Sequence, residues 1–139
     1  MSVPTFAATQ VGDQLPLLPL PPLTRRTLAL YAGGSGDHNP LHIDIDFAKQ
    51  AGFPDVFAHG MLGMAYLGRL LTGWAPQSAL REFGVRFSAI TYPGEVLTCT
   101  GAVVAKDEAG PERRVTVELK MQNAKGETKI AGRAIVALP

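Results

Sequence analysis

The sequence predicts an α+β fold in which one antiparallel sheet of about five strands wraps round a single long central helix. Three observations carry that prediction. Residues 59–74, "HGMLGMAYLGRLLTGW", contain Arg69 as their only charged residue, so a helix here is apolar on nearly every face and needs a surface folded around it. From Leu80 onward the chain falls into four strand-like stretches separated by turn sequences. Near the start, a proline-rich apolar stretch suits an extended edge segment and nothing helical.

Taken in order, residues 14–23, "QLPLLPLPPL", carry four prolines, which exclude a helix or a central strand. Thr24 is a suitable N-cap for "RRTLALYAGG", where Leu28, Tyr31 and Ala32 recur at helical spacing and Gly33 and Gly34 supply the stop. Asp46 can cap a brief second helix, "FAKQAG", closed by Gly52 and Pro54. In the central helix Gly63 and Gly68 lower helix propensity, and the compensation expected is close approach of a neighbouring backbone.

The strand region reads "LREFGVRFSAI", "EVLTCTGAVVAK", "RRVTVELKMQN" and "TKIAGRAIVAL". Alternation is clearest where Val115, Val117, Leu119 and Met121 interleave with Arg114, Thr116, Glu118 and Lys120. The intervening "TYPGE", "DEAGPE" and "NAKGE" are turn sequences. An edge segment, two short helices, one apolar helix and four strands describe the hot-dog arrangement.

Composition bounds the function. A chain of 139 residues fits one domain, 1–139. With 18% charged residues and a net charge of +1 it lacks the basic excess that a phosphate backbone requires, so nucleic acid is not an expected partner. Cys99, the single cysteine, sits in the apolar run "EVLTCTGAVV" and reads as a buried, inert thiol, which favours a reducing compartment. The N-terminus lacks a positive head followed by a long apolar run, and no stretch reaches the roughly 18 apolar residues of a membrane span. A cytoplasmic protein with no membrane partner is the expectation.

The chemistry concentrates in "GSGDHNPLHID", Gly34 to Asp44. Three readings compete. His42-Ile43-Asp44 with His59 imitates a metal triad of two histidines and one carboxylate, but the third ligand comes 17 residues later, ahead of the strands that should carry it. His38 and His42 are four apart, yet Pro40 between them opposes one helix face, which removes a zinc-helix reading. An acid/base reading asks for less. Asn39 precedes proline and favours a bend, which can bring Asp37 and His42 to one side of a pocket to grip one water. A solvated polar loop is the third reading. In the acid/base reading His38 is a bystander, and Asp44 and Asp46 suit helix caps or orienting groups.

The second element is "AHGM", residues 58–61, at the start of the central helix. Helix starts leave N–H groups unpaired and carry partial positive charge, so Gly60 can set an amide against a developing oxyanion while His59 fixes the turn. No nucleophile elbow, phosphate loop or dinucleotide fingerprint is present.

"YAGGSGDHNPLHIDIDFAKQAGF" followed by "FAHGML" resembles the signature of the (R)-specific enoyl-CoA hydratases, the hydratase 2 or MaoC-like dehydratases of the hot-dog superfamily. The likeness is dense over Leu23 to Leu71. "VGDQLP", "VRFSAITYPGE" and "GRAIVAL" are similar to segments of the (3R)-hydroxyacyl carrier-protein dehydratases. The resemblance implies reversible hydration of trans-2-enoyl thioesters to (3R)-3-hydroxyacyl thioesters, with Asp37 and His42 as the catalytic pair and the Gly60 amide on the thioester carbonyl. Asn39, as the supporting turn residue, His59 and Met61 are the candidate substrate-binding residues. It implies no metal or redox cofactor, coenzyme A or a carrier protein serving only as the substrate's handle, and no specified acyl length. It further implies a homodimer, or a heterodimer with a related hot-dog subunit, whose sheets run on into one, and a tunnel that is short or completed by the partner. Arg81, Arg86, Arg113 and Arg114 are candidate phosphate contacts if they cluster. Two alternatives stay open: a non-catalytic acyl-thioester-binding subunit, against which the intact Asp37/His42 pair argues, and a hot-dog thioesterase, for which "GMLGMAYLGRLL" offers no carboxylate.

Overall fold

Prolines at 16, 19, 21 and 22 restrict the first apolar stretch to an edge. In the computed structural model, which describes residues 2–108 and 110–139, it contributes a two-residue strand, β1 (Leu18–Pro19), paired antiparallel with β3 (Leu97–Asp107). The other strands are β2 (Leu80–Phe87), β4 (Arg114–Asn123) and β5 (Thr128–Ala137). All pairings are antiparallel and the order across the sheet is β1-β3-β4-β5-β2. β2 therefore ends the sheet, with its outer edge unpaired among the described strands.

Thr24 caps the first helix, α1 (Arg25–Ser35), its hydroxyl accepting from the Thr27 N–H at 3.2 Å. Contrary to expectation the helix runs through Gly33 and Gly34. A glycine inside a helix costs only about 1 kcal/mol, whereas a stop needs a left-handed residue, and Gly36 with φ 77° is the one that adopts it. The second helix, α2 (Ile45–Gln50), is capped by Asp44 and not by Asp46: Asp44 Oδ1 accepts from the Asp46 and Phe47 amides at 3.0 and 3.2 Å.

The long helix, α3 (Gly60–Trp74), lies in the curl of the sheet. Leu67 and Leu71 are fully buried against residues such as Cys99, Val117 and Leu119, a placement worth roughly 1.5–3 kcal/mol for each leucine. A second small core of Leu23, Leu28, Ala48, Val56 and Leu62 ties α1 and α2 to the helix start. The helix is not enclosed on all sides, however. Met61, Ala65, Arg69 and Thr72 face solvent, because one curled sheet covers one flank and the two small helices cover only the first turns. Close approach at Gly63 comes from side chains and not backbone: an added methyl would overlap Ile130 Cδ1 and lie 2.9 Å from Met121 Cε. At Gly68 the nearest atom, Phe83 Cε1, is in ordinary contact at 3.6 Å.

This architecture sends two segments to the start of α3. The loop following β2 arrives from the sheet and the Gly34–Asp44 stretch arrives from α1. No helix of the described residues is long and apolar enough to cross a membrane.

Candidate functional site

Local polar residues fold the motif back on itself. Ser35 Oγ accepts from the Asp37 amide at 3.1 Å, Asp37 Oδ1 from the Asn39 amide at 3.2 Å, and Asn39 Oδ1 from the Leu41 amide at 3.0 Å. These successive turns, with Pro40 opening a short 3-10 turn over Pro40–His42, reverse the chain and aim His42 inward. The Asn39 side-chain oxygen is thereby committed to the turn.

His42 Nδ1 lies 2.7 Å from the Phe57 carbonyl oxygen. A carbonyl only accepts, so Nδ1 donates and Nε2 is left without a hydrogen-bond partner among the described residues. His59, the N-cap residue of α3, meets the Asp37 carbonyl oxygen through Nε2 at 3.1 Å, so its proton sits there. Its Nδ1 is buried and has no partner. The two imidazoles stack with centroids 3.9 Å apart, and Tyr31 stands edge-on to His59 at 4.7 Å. His59 is only 2% exposed. Burial pushes its pKa down and the neighbouring His42 adds to that, while the contact to Asp37 opposes it. His59 is therefore a neutral spacer that holds the Asp37 backbone in place.

Asp37, His42 and His59 have side-chain ligand atoms that all lie within 4.8 Å of one another. The carboxylate in this group is Asp37, not Asp44, which is engaged at α2. His42 Nδ1 and His59 Nε2 face backbone carbonyls, so the ring nitrogens that could join the Asp37 carboxylate on an ion are His42 Nε2 and His59 Nδ1, in rings stacked with planes 28° apart. An exposed carboxylate beside a free imidazole nitrogen is also an arrangement that can hold a water between an acid and a base.

Gly60 opens α3, and no side chain caps the helix there. A Cβ at this position would meet two atoms of the Phe87 ring at 3.0 Å, so the ring closes over a place where only hydrogen fits comfortably. Beside it lies a cavity of about 300 Å³, bounded by His59, Gly60, Gly63 and Tyr66 on one side and by Ser88–Thr91, Met121 and Ile130 on the other. Asp37 and His42 are not part of its wall. They adjoin it through Phe57 and His59, which line the cavity and bond to the pair.

The structure thus brings Asp37, His42, His59 and Gly60 together. Met61 is 55% exposed and stands outside the cavity wall, and His38 is exposed. Of the four arginines, Arg81 and Arg114 are both held by Glu112, at 2.7 and 3.0 Å, and these guanidiniums hold its carboxyl down to about 2. Arg113 adjoins Arg114, and Arg81 sits six residues before Phe87 along β2, roughly 20 Å from the helix start, whereas Arg86, exposed and directly before Phe87, stands apart from these three. That cluster is an ion-pair network at the far end of the sheet. Sequence reasoning missed Ser35, the Phe57 carbonyl and Phe87; only Ser35, two residues before an aspartate in a glycine-rich stretch, left a readable signal.

Comparison with known proteins shows the family to which the chain belongs. The profile of the MaoC like domain matches residues 7–125. The (R)-specific enoyl-CoA hydratase of Aeromonas caviae is 31% identical over 114 residues, covering 81% of this chain and 84% of that protein. Enoyl-CoA hydratase ChsH3 of Mycobacterium tuberculosis is 46% identical over 68 residues, covering 45% of this chain and 23% of that protein. The chain spans 23% to 36% of the length of ChsH3 and of two more curated relatives that it matches. The solved R-hydratase PhaJ1 from Pseudomonas aeruginosa superposes with a TM-score of 0.84 at 27% identity, covering 97% of this chain and 85% of that one.

Proposed function

Because the chain belongs to the MaoC-like dehydratase family, we propose that it adds water reversibly across trans-2-enoyl thioesters to give (3R)-3-hydroxyacyl thioesters. One observation carries this reading: the Asp37 carboxylate and the free Nε2 of His42 lie within 4.8 Å of each other beside the uncapped start of α3. A water held between them loses one proton to the pair as its oxygen bonds C3. The pair returns one proton to C2 on the same face, so no proton is gained or lost overall. Negative charge building on the thioester oxygen meets the Gly60 amide and the positive end of the helix. The acyl chain occupies the cavity beside Gly60 and Gly63. Each of these steps runs without a metal or redox cofactor, with coenzyme A or a carrier protein as the handle.

The unpaired outer edge of β2, together with exposed Phe87 and Ile90 near the site, supports pairing of two such subunits along β2. Sedimentation at micromolar concentration reads that directly: a monomer contradicts it.

Mixing the protein with crotonyl-CoA tests the reaction. Loss of the enoyl ultraviolet absorbance without release of free thiol is the expected result, and the product is the (3R) enantiomer on chiral analysis. Thiol release would mark a thioesterase, and no change in either signal a non-catalytic subunit.

A further inference from the structure

Lys129 is the one lysine or arginine that is buried among the described residues, at 3% exposure on β5. Its ammonium donates to the Ile90 carbonyl at 2.7 Å, pairs with Glu95 at 2.9 Å and pairs with Glu127. Its own carbonyl accepts from the Ser88 and Ala89 amides at 2.9 and 3.2 Å. Glu95 is held in turn by the Tyr92 amide at 2.7 Å and by Asn123 Nδ2 at 2.9 Å. One residue therefore grips three consecutive residues of the loop after β2, and that loop, Ser88–Thr91, forms one wall of the cavity. The next carbonyl along, that of Thr91, accepts from the Ala58 amide at 2.8 Å, immediately before His59.

A buried ammonium is a poor way to gain stability, since an apolar side chain of similar volume in its place is often neutral or better. What lysine supplies here is direction, because its ammonium ties the Ile90 carbonyl and Glu95, both in the connection from β2 to β3, to β5, with Glu127 just ahead of β5 as its third partner. We propose that Lys129 is a positioning residue that fixes the Ser88–Thr91 wall of the cavity and thereby sets which acyl chains fit. The proposal rests on the hydratase reading for the identity of the ligand, but not for the clamp itself.

Lys129→Met, and Lys129→Met combined with Glu95→Gln to avoid an unpaired carboxylate, remove the ammonium's hold on the Ile90 carbonyl and leave the backbone carbonyl that accepts from Ser88 and Ala89; Lys129→Arg keeps the charge. Hydrogen exchange read by mass spectrometry or NMR is expected to show the Ala58 amide, which bonds to Thr91 next to Ile90, and the Ser88 and Ala89 amides exchanging about tenfold faster or more in the Met variants, because a loop released at Ile90 opens more often even with its backbone bonds to residue 129 intact, with amides in β3 and β4 unchanged. With trans-2-enoyl-CoA substrates of increasing chain length, KM for the preferred length is expected to rise about tenfold while longer chains lose less, and kcat changes little. Lys129→Arg is expected to recover part of the preference. Unchanged exchange, or an equal loss at every chain length, overturns the proposal. If the Met variants do not fold, Glu95→Gln alone, at a partly exposed position, is expected to loosen the same amides to a smaller degree, and unchanged exchange there overturns it equally. A wild-type protein that does not hydrate enoyl thioesters would refute the function reading, and the exchange measurement would still decide whether Lys129 holds the wall.

Discussion

The imidazoles of His42 and His59 lie face to face, 3.9 Å between centroids and 28° between planes, and each donates one ring N–H to a backbone carbonyl, Phe57 for the first and Asp37 for the second. Two stacked imidazoliums would repel strongly. The pair is therefore divided by environment: buried His59 stays neutral and fixes Asp37, and half-buried His42 keeps a free nitrogen for the reacting water.

That division makes a pH prediction. Folding lowers the His59 pKa below its ordinary 6.5, chiefly by burial, so between 6.5 and the lower folded value the unfolded chain binds a proton that the folded chain refuses. The stability His59 confers is present above this window and is lost as pH falls through it. Thermal melts from pH 7.5 down to about 5 are expected to show the transition falling with pH, and falling less steeply in His59→Asn, which can still donate to the Asp37 carbonyl. Equal slopes in the two proteins would contradict the assignment of His59 as a buried neutral group.

Gly60→Ala is expected to fold, because Phe87, the group an added Cβ would press at 3.0 Å, is 51% exposed and can turn aside. It should nonetheless crowd the thioester oxygen and lower kcat by about tenfold to a hundredfold, with a smaller effect on KM. Gly60→Ala with Phe87→Ala restores space to the ring side alone. Recovery of full activity in that double variant would show that the loss came from Phe87 and not from the helix amide.

Cys99 is fully buried, and burial pushes its thiol up to about 12. Folded protein is expected to resist alkylation at pH 8 and to react once denatured. Rapid labelling of the native protein would mean that β3 opens where the core is most tightly filled.

The strands were legible because burial on one face imposes a period of two, and the Val115–Met121 alternation states it outright. Helix ends were less so. Gly33, Gly34 and Gly36 are identical letters, and only the third turns left-handed; Asp44 and Asp46 are both good caps, and the choice depends on which residue stays extended. The Asp37-to-His42 bend was readable from Asn39-Pro40, since proline restricts its neighbour by simple sterics. The partners that set the tautomers were not readable: the carbonyls of Phe57 and Asp37 lie 15 and 22 residues from the rings they accept from, and every residue carries a carbonyl. Arg81 and Arg114 look like free cations in sequence and are tied to Glu112 in space.

The central claim is that Asp37 and His42 act as one unit on one water. Its most direct test is the hydration rate of a trans-2-enoyl-CoA by Asp37→Asn, His42→Ala and the double variant, each first shown to be folded. Groups that work as a unit are non-additive, so each single change should lower kcat by a similar factor, on the order of 10² to 10⁴, and the double change by little more. Near-wild-type kcat in either single variant, or losses that multiply in the double, would contradict it.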